Sequence, residues 1–159
     1  MGNITTAVNY ISYLENTYLL FSIPGYYPSP RQQLINPKKT YAIDTGLIRA
    51  NTLSFSEDTG RMLENIVFLQ LRRKYKSIFY HKGEHECDFI IKDRGAITGA
   101  FQVCMKLDEY NMKREIAGLE EVMKKFKLAT GLILTMDQED KFGDIEVIPV
   151  WKWITAQYA

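Results

Sequence analysis

Apolar residues recur at helical spacing over Ile4, Val8, Ile11, Leu14 and Tyr18, which predicts one short amphipathic helix with Asn3 or Thr5 as its cap. The aromatic and β-branched run from Tyr18 to Ile23 predicts a strand closed by Pro24-Gly25. Pro28, Pro30 and Pro37 hold the next stretch extended or turning, so 31–39 reads as a loop. Thr40 to Ile43 then reads as the second strand of a hairpin, ending in Asp44-Thr45-Gly46. A helix and hairpin of this size cannot bury a core and must lean on something else.

The pattern changes near Asp58. Asp58 or Thr59 is placed to cap a helix in which Met62, Leu63, Ile66, Val67, Phe68, Leu69 and Leu71 form a broad apolar surface. Arg72, Arg73 and Lys74 suit the negative end of that helix, which is expected to stop near Tyr75. Strands are predicted at Ile78 to His81, Glu86 to Lys92 and Ala100 to Cys104, with turns at Gly83 and Arg94-Gly95 that make antiparallel pairing the simplest connection. A second amphipathic helix over Met112 to Lys127 puts Ile116, Leu119, Val122, Met123 and Phe126 on one face. Strands at Gly131 to Thr135 and Ile145 to Val150 flank a polar loop from Asp137 to Asp144, and Trp151 and Trp153 alternate at the end of the last strand. The order helix, three strands, helix, two strands predicts an α/β domain with a mixed sheet flanked by helices over 51–159, preceded by a smaller segment over 1–50.

Composition narrows the function classes. The 159 residues balance 20 basic against 19 acidic side chains, so bulk charge gives no sign of a chain built to coat nucleic acid, and any basic patch must come from folding. No run is long and apolar enough to span a bilayer and none resembles a secretory signal, which makes the cytoplasm the expected compartment. Met1-Gly2 with Thr6 meets a myristoylation pattern too short to carry weight. Cys87 and Cys104 sit in apolar runs without metal-ligand spacing and read as small buried hydrophobes. His81 and His85 fall across a strand and a turn and read as surface residues. Lys113, Arg114, Lys124, Lys125 and Lys127 interleave with Glu115, Glu120 and Glu121, as on a solvated helix face.

Two acids stand out. Glu64 shares the helical stripe of Phe68 and Leu71, and Asp88 lies inside an otherwise apolar strand, so both need compensation. Strand alternation puts Cys87, Phe89 and Ile91 on one face and Asp88 with Ile90 on the other; on the next strand Ala100, Gln102 and Cys104 share a face. Paired with basic groups such as Arg61 or Lys82, the two acids would be structural.

A helical acid, a strand acid, then two polar positions one residue apart on the next strand resemble the PD-(D/E)XK nuclease superfamily. The resemblance implies a restriction-endonuclease-like fold in which Glu64, Asp88 and Gln102 would hold Mg²⁺ and a lysine would assist the attacking water. Gln102 stands where an acid is usual and Cys104 where the lysine is usual, leaving Lys106 as the replacement and a catalytically impaired site as the expectation. Three blocks, Tyr13 to Leu20, Asn36 to Leu47 and Gly60 to Phe68, further resemble the C-terminal domain of unknown function that follows the AAA-type module of prokaryotic ATPases. That implies a partial winged-helix-like helix and β-hairpin at the amino terminus, an ATPase module as partner, and nucleic-acid binding or assembly as the role. No phosphate-binding Gly-x-x-x-x-Gly-Lys-Ser/Thr loop occurs, so no ATP site is expected in this chain. The alternative is an active Mg-dependent DNA endonuclease using Glu64, Asp88, Gln102 and Lys106.

Overall fold

The computed structural model describes residues 4–51 and 58–156. The Asn3 cap and the Met1-Gly2 pattern lie outside them. Helix α1 (Ile4–Asn16) leads into strand β1 (Leu20–Pro24), helix α2 (Pro30–Ile35), strand β2 (Lys38–Ala42) and helix α3 (Thr45–Asn51). Helix α4 (Asp58–Lys74) follows, then β3 (Ser77–Lys82), β4 (Glu86–Asp93), β5 (Ala96–Val103), helix α5 (Met112–Phe126), β6 (Gly131–Thr135), β7 (Asp140–Phe142), β8 (Ile145–Pro149) and helix α6 (Val150–Ala156).

Strands β1 and β2 pair antiparallel as a small separate sheet, and the other six form a mixed sheet in the order β3-β4-β5-β6-β8-β7. The first three are an antiparallel meander, β5, β6 and β8 run parallel, and β7 closes the edge antiparallel to β8. One face of the sheet packs with α4, α6 and the β1-β2 sheet through Ile23, Tyr41, Leu63, Val67, Phe68, Leu71, Phe89 and Trp153. The other face is covered by α5, with Leu119 and Val122 against Cys87, Ile90, Ala100, Ile133 and Val147. The Tyr41 ring stacks on Phe68 at 4.3 Å between centroids and 11° between planes, which fixes the small sheet on α4. Gly118 lets α5 approach closely, since a Cβ there would lie 2.1 Å from the Glu86 carbonyl oxygen.

Four elements differ from the sequence expectation for identifiable reasons. Residues 31–39 are not a loop: Pro30 occupies the first turn of α2, where its missing N–H costs nothing. Asp44-Thr45-Gly46 starts a helix instead of ending a hairpin, with Asp44 Oδ1 accepting the Gly46 N–H. The polar loop contains β7, a charged edge strand turned by Gly143 at φ 59°. Trp151 and Trp153 lie on α6, not on a strand; at 100° per residue two helical positions also fall on opposite sides, leaving Trp151 exposed and Trp153 against Phe101.

The α1 stripe is present but uncovered: Val8, Ile11 and Leu14 are 58%, 42% and 38% exposed, while Tyr18 falls in the turn after the helix at φ 60°. Among the described residues no helix is long and apolar enough to cross a membrane.

Candidate functional site

The β3-β4 register slips between Phe79 and His81, so two residues of β4, Asp88 and Phe89, face one of β3. This bulge overturns the simple alternation: Cys87 and Ile90 pack toward α5, whereas Phe89 and Ile91 pack toward α4. It also frees the Asp88 N–H, which donates to Gln102 Oε1 at 3.0 Å. Gln102 Nε2 in turn donates to Glu115 of α5. Asp88 Oδ2 accepts the Val103 N–H at 2.9 Å.

Glu64, Asp88 and Gln102 therefore come together, lining one pocket with Glu86, Val103, Arg114 and Glu115. Lys106 is not brought to it. Strand β5 ends at Val103, Lys106 is exposed, and its carbonyl is taken by Asn111 Nδ2. Cys104 is half-buried and Cys87 fully buried, and burial pushes the Cys104 thiol up to about 12, so neither is a nucleophile at neutral pH.

A lysine does enter the cluster, from the other sheet. Lys39 of β2 places its Nζ 2.7 Å from Asp88 Oδ1, 2.9 Å from Glu86 Oε1 and 3.3 Å from Glu64 Oε1. Two residues on, Tyr41 donates its hydroxyl to Glu64 Oε1 at 2.7 Å. The partner of both acids is thus Lys39 and not Arg61 or Lys82. Burial pulls the Lys39 ammonium down, but the Asp88 and Glu64 carboxylates outweigh it and hold it above the usual lysine range. Burial pushes the Asp88 carboxyl up to about 6, with Lys39 opposing and Glu64 adding to the rise. Burial and Glu64 raise the Tyr41 phenol, which stays protonated as a donor. At neutral pH the cluster is an ammonium among carboxylates.

This arrangement does not fit Mg²⁺. Both Asp88 oxygens are engaged, Gln102 Oε1 serves the bulge, Glu64 Oε1 accepts from Tyr41 and Lys39, and the ammonium stands among the acids. Among the described residues no group of three His, Cys, Asp or Glu is disposed to hold a metal ion.

On the opposite side of the sheet His81 corrects the expectation of a surface residue, whereas His85 is half-buried and bonds through its backbone. His81 is buried and its Nε2 lies 2.6 Å from Glu121 Oε1, while Glu121 Oε2 accepts the His85 N–H at 2.8 Å. They tie the β3-β4 turn to α5.

Lys39, Tyr41, Glu86 and Glu115 were not singled out from the sequence. The signal was available for two of them: in Lys38-Lys39-Thr40-Tyr41, positions 39 and 41 share a strand face, so a buried tyrosine carries its lysine inward.

Residues 2–58 match a family described as a domain of unknown function, DUF8612. The chain is similar to the uncharacterized protein MJ1544 of Methanocaldococcus jannaschii, 38% identical over 91% of this chain and 35% of that protein. It is also similar to an uncharacterized protein of Haemophilus influenzae, 28% identical over 94% of this chain and 36% of that one. The chain thus spans about a third of the length of the curated relatives it matches. No solved structure matches it significantly.

Proposed function

We propose that this chain is a nuclease-like domain of the restriction-endonuclease type that has given up metal chemistry and works as a non-catalytic module of a longer, ATPase-containing protein, in nucleic-acid binding or assembly. The observation that carries the reading is the position of Lys39. Its ammonium sits within 3.3 Å of Glu64, Glu86 and Asp88, in the place where a divalent cation would have to be held. One fixed positive charge neutralises the acids without offering a Lewis acid or an activated water.

Two further observations support it. The order α4, β3-β4-β5, α5, β6 is the sequence of elements that the nuclease resemblance implies, with Glu64 and Asp88 on the elements it assigns them. The uncovered α1 stripe, together with relatives about three times as long, supports a module that packs against further chain, in keeping with the partial winged-helix-like reading of α1, β1 and β2.

Calorimetric titration with Mg²⁺ and Mn²⁺, alongside incubation with supercoiled, single-stranded and branched DNA, tests the proposal. Neither saturable cation binding nor cleavage is expected. Cation-dependent cleavage abolished by Asp88→Ala would overturn it and establish the endonuclease alternative, with Lys39 in the role that Lys106 cannot reach.

A further inference from the structure

The near-neutral charge of the whole chain conceals a strong local imbalance. Arg72, Arg73 and Lys74 end α4, Lys76 precedes β3, Lys92 lies at the end of β4 and Arg94 at the tip of the β4-β5 hairpin. One open cleft is lined by Lys74, Lys76, Lys92 and Arg94, with Asp93 as its one carboxylate. Among the described residues none of those four cations is in a salt bridge. Lys92 lies four positions beyond Asp88 along β4, about 13 Å at roughly 3.3 Å per residue, so the cleft is distinct from the Lys39 cluster.

The hairpin tip adds an independent observation. Asp93 pairs with Ala96, leaving the two-residue turn Arg94-Gly95, and both turn residues have positive φ, 47° and 88°. Such turns favour Gly, which has no Cβ to clash at positive φ, or Asn and Asp, whose short polar side chains offset the strain by local hydrogen bonds. An arginine is kept at the tip against local preference. Strain held in this way points to a task for the side chain.

We infer that this basic sheet end binds the phosphate backbone of nucleic acid, at a surface separate from the acidic pocket. The cleft offers separated point charges, and its two aromatic lining residues, Tyr75 and Phe79, are half-buried. Protein interfaces are anchored by desolvated aromatic and apolar groups, whereas phosphate contacts need accessible cations and little else. The pocket at the other end of β4 sets four carboxylates, Glu64, Glu86, Asp88 and Glu115, against Lys39 and Arg114, and this excess of acids disfavours the same ligand. This deepens the reading of a non-catalytic module, and it is tested without metal, so cleavage or its absence leaves the binding result intact.

The test is fluorescence anisotropy with labelled 20-base-pair duplex and 20-nucleotide single strand in EDTA, across about 50 to 200 mM salt. Saturable binding is expected, with log affinity falling linearly in log salt. The variant K76Q/K92Q/R94Q is expected to lose at least about tenfold in affinity and to flatten the slope by about 3, near 0.9 for each phosphate contact removed. The control K113Q/K124Q/K125Q on α5 should stay within about twofold. Arg94→Asn should raise the melting temperature while weakening binding, since it relaxes the turn and removes the charge. Absence of saturable binding at the lowest salt, equal loss in both triple variants, or tighter capture of polyglutamate than of either nucleic acid would overturn the inference.

Discussion

Replacing Lys39 by methionine keeps the length of the side chain and removes its charge, leaving three carboxylates without their cation. Removing one member of a fully buried ion pair costs about 3–5 kcal/mol. The cluster is less than fully buried: the Lys39 and Glu64 side chains are 22% exposed, Asp88 10% and Glu86 46%. Solvent screening reduces the expected loss to about 2–3 kcal/mol near pH 7.5. The loss should also depend on pH in a defined direction. Lys39 opposes the burial that puts Asp88 at about 6, so without it the folded-state value climbs further above that of the unfolded chain. As pH falls the folded variant then takes up a proton sooner than the parent does, and its stability relative to the parent rises. Near pH 5, with Asp88 neutral in both, its charge no longer needs the ammonium and the deficit should shrink to about 1 kcal/mol. Urea unfolding followed by tryptophan fluorescence and circular dichroism at the two pH values measures both. A loss below about 0.5 kcal/mol near neutrality, or one that grows on acidification, would refute the assignment of Lys39 as the cluster's counter-ion.

Asp88→Asn should abolish a titration. With the folded value raised from 3.8 to about 6, the parent gains stability as pH falls through that window while the unfolded chain is still ionised, by up to about 3 kcal/mol. A parent-minus-variant stability that stays flat across that window would show that burial does not raise Asp88. Asn65→Ala should cost about 2–4 kcal/mol, because the buried amide accepts the Ala42 N–H at 2.8 Å and donates to the Ala42 carbonyl at 3.0 Å, leaving both backbone groups unpaired; hydrogen exchange at the Ala42 amide should accelerate in parallel. Gly118→Ala sets helix propensity, which favours alanine by about 1 kcal/mol, against a Cβ 2.1 Å from the Glu86 carbonyl oxygen. The contact should win, and a melting temperature equal to or above the parent's would show that α5 stands further from β4.

The sheet core was legible in the sequence because its signals are local. Apolar periodicity located α4, α5, β3, β4 and β6 to within a few residues, and the glycine turns implied the antiparallel meander. Short elements were not legible: α2, α3 and α6 have six or seven residues each, too few for a period to declare itself. Alternation failed at Asp88 and Phe89 because a bulge adds one residue without a marker in composition. Glu64, Asp88 and Gln102 could be grouped because each is a polar residue on an apolar element. Lys39 was passed over because one lysine of a Lys-Lys pair in a proline-bounded segment looks like solvated surface, and the strand face it shares with Tyr41 tells only once Tyr41 is known to be buried. Its burial follows from Tyr41 stacking on Phe68, a contact between residues 27 positions apart.

The placement of Lys39 bears on how the two halves of the chain relate. A division at residue 50 would assign β2 to one part and Glu64, Asp88 and Glu115 to another, yet β2 supplies the cation, the Tyr41 hydroxyl and the Ala42 backbone groups that bind Asn65. Withdrawing β2 would strip the acids of their counter-ion and leave the Asn65 amide unpaired in one step, so the position of the small sheet and the charge state of the pocket are linked quantities. Helix α1 leads straight into β1, with the Leu19 N–H donating to the Leu14 carbonyl at 2.9 Å, and carries the uncovered apolar stripe. A partner grasping α1 would therefore act on the acidic pocket through β1 and β2. On the proposed reading, the pocket's indifference to metal would be a property of the docked small sheet as much as of the acids themselves.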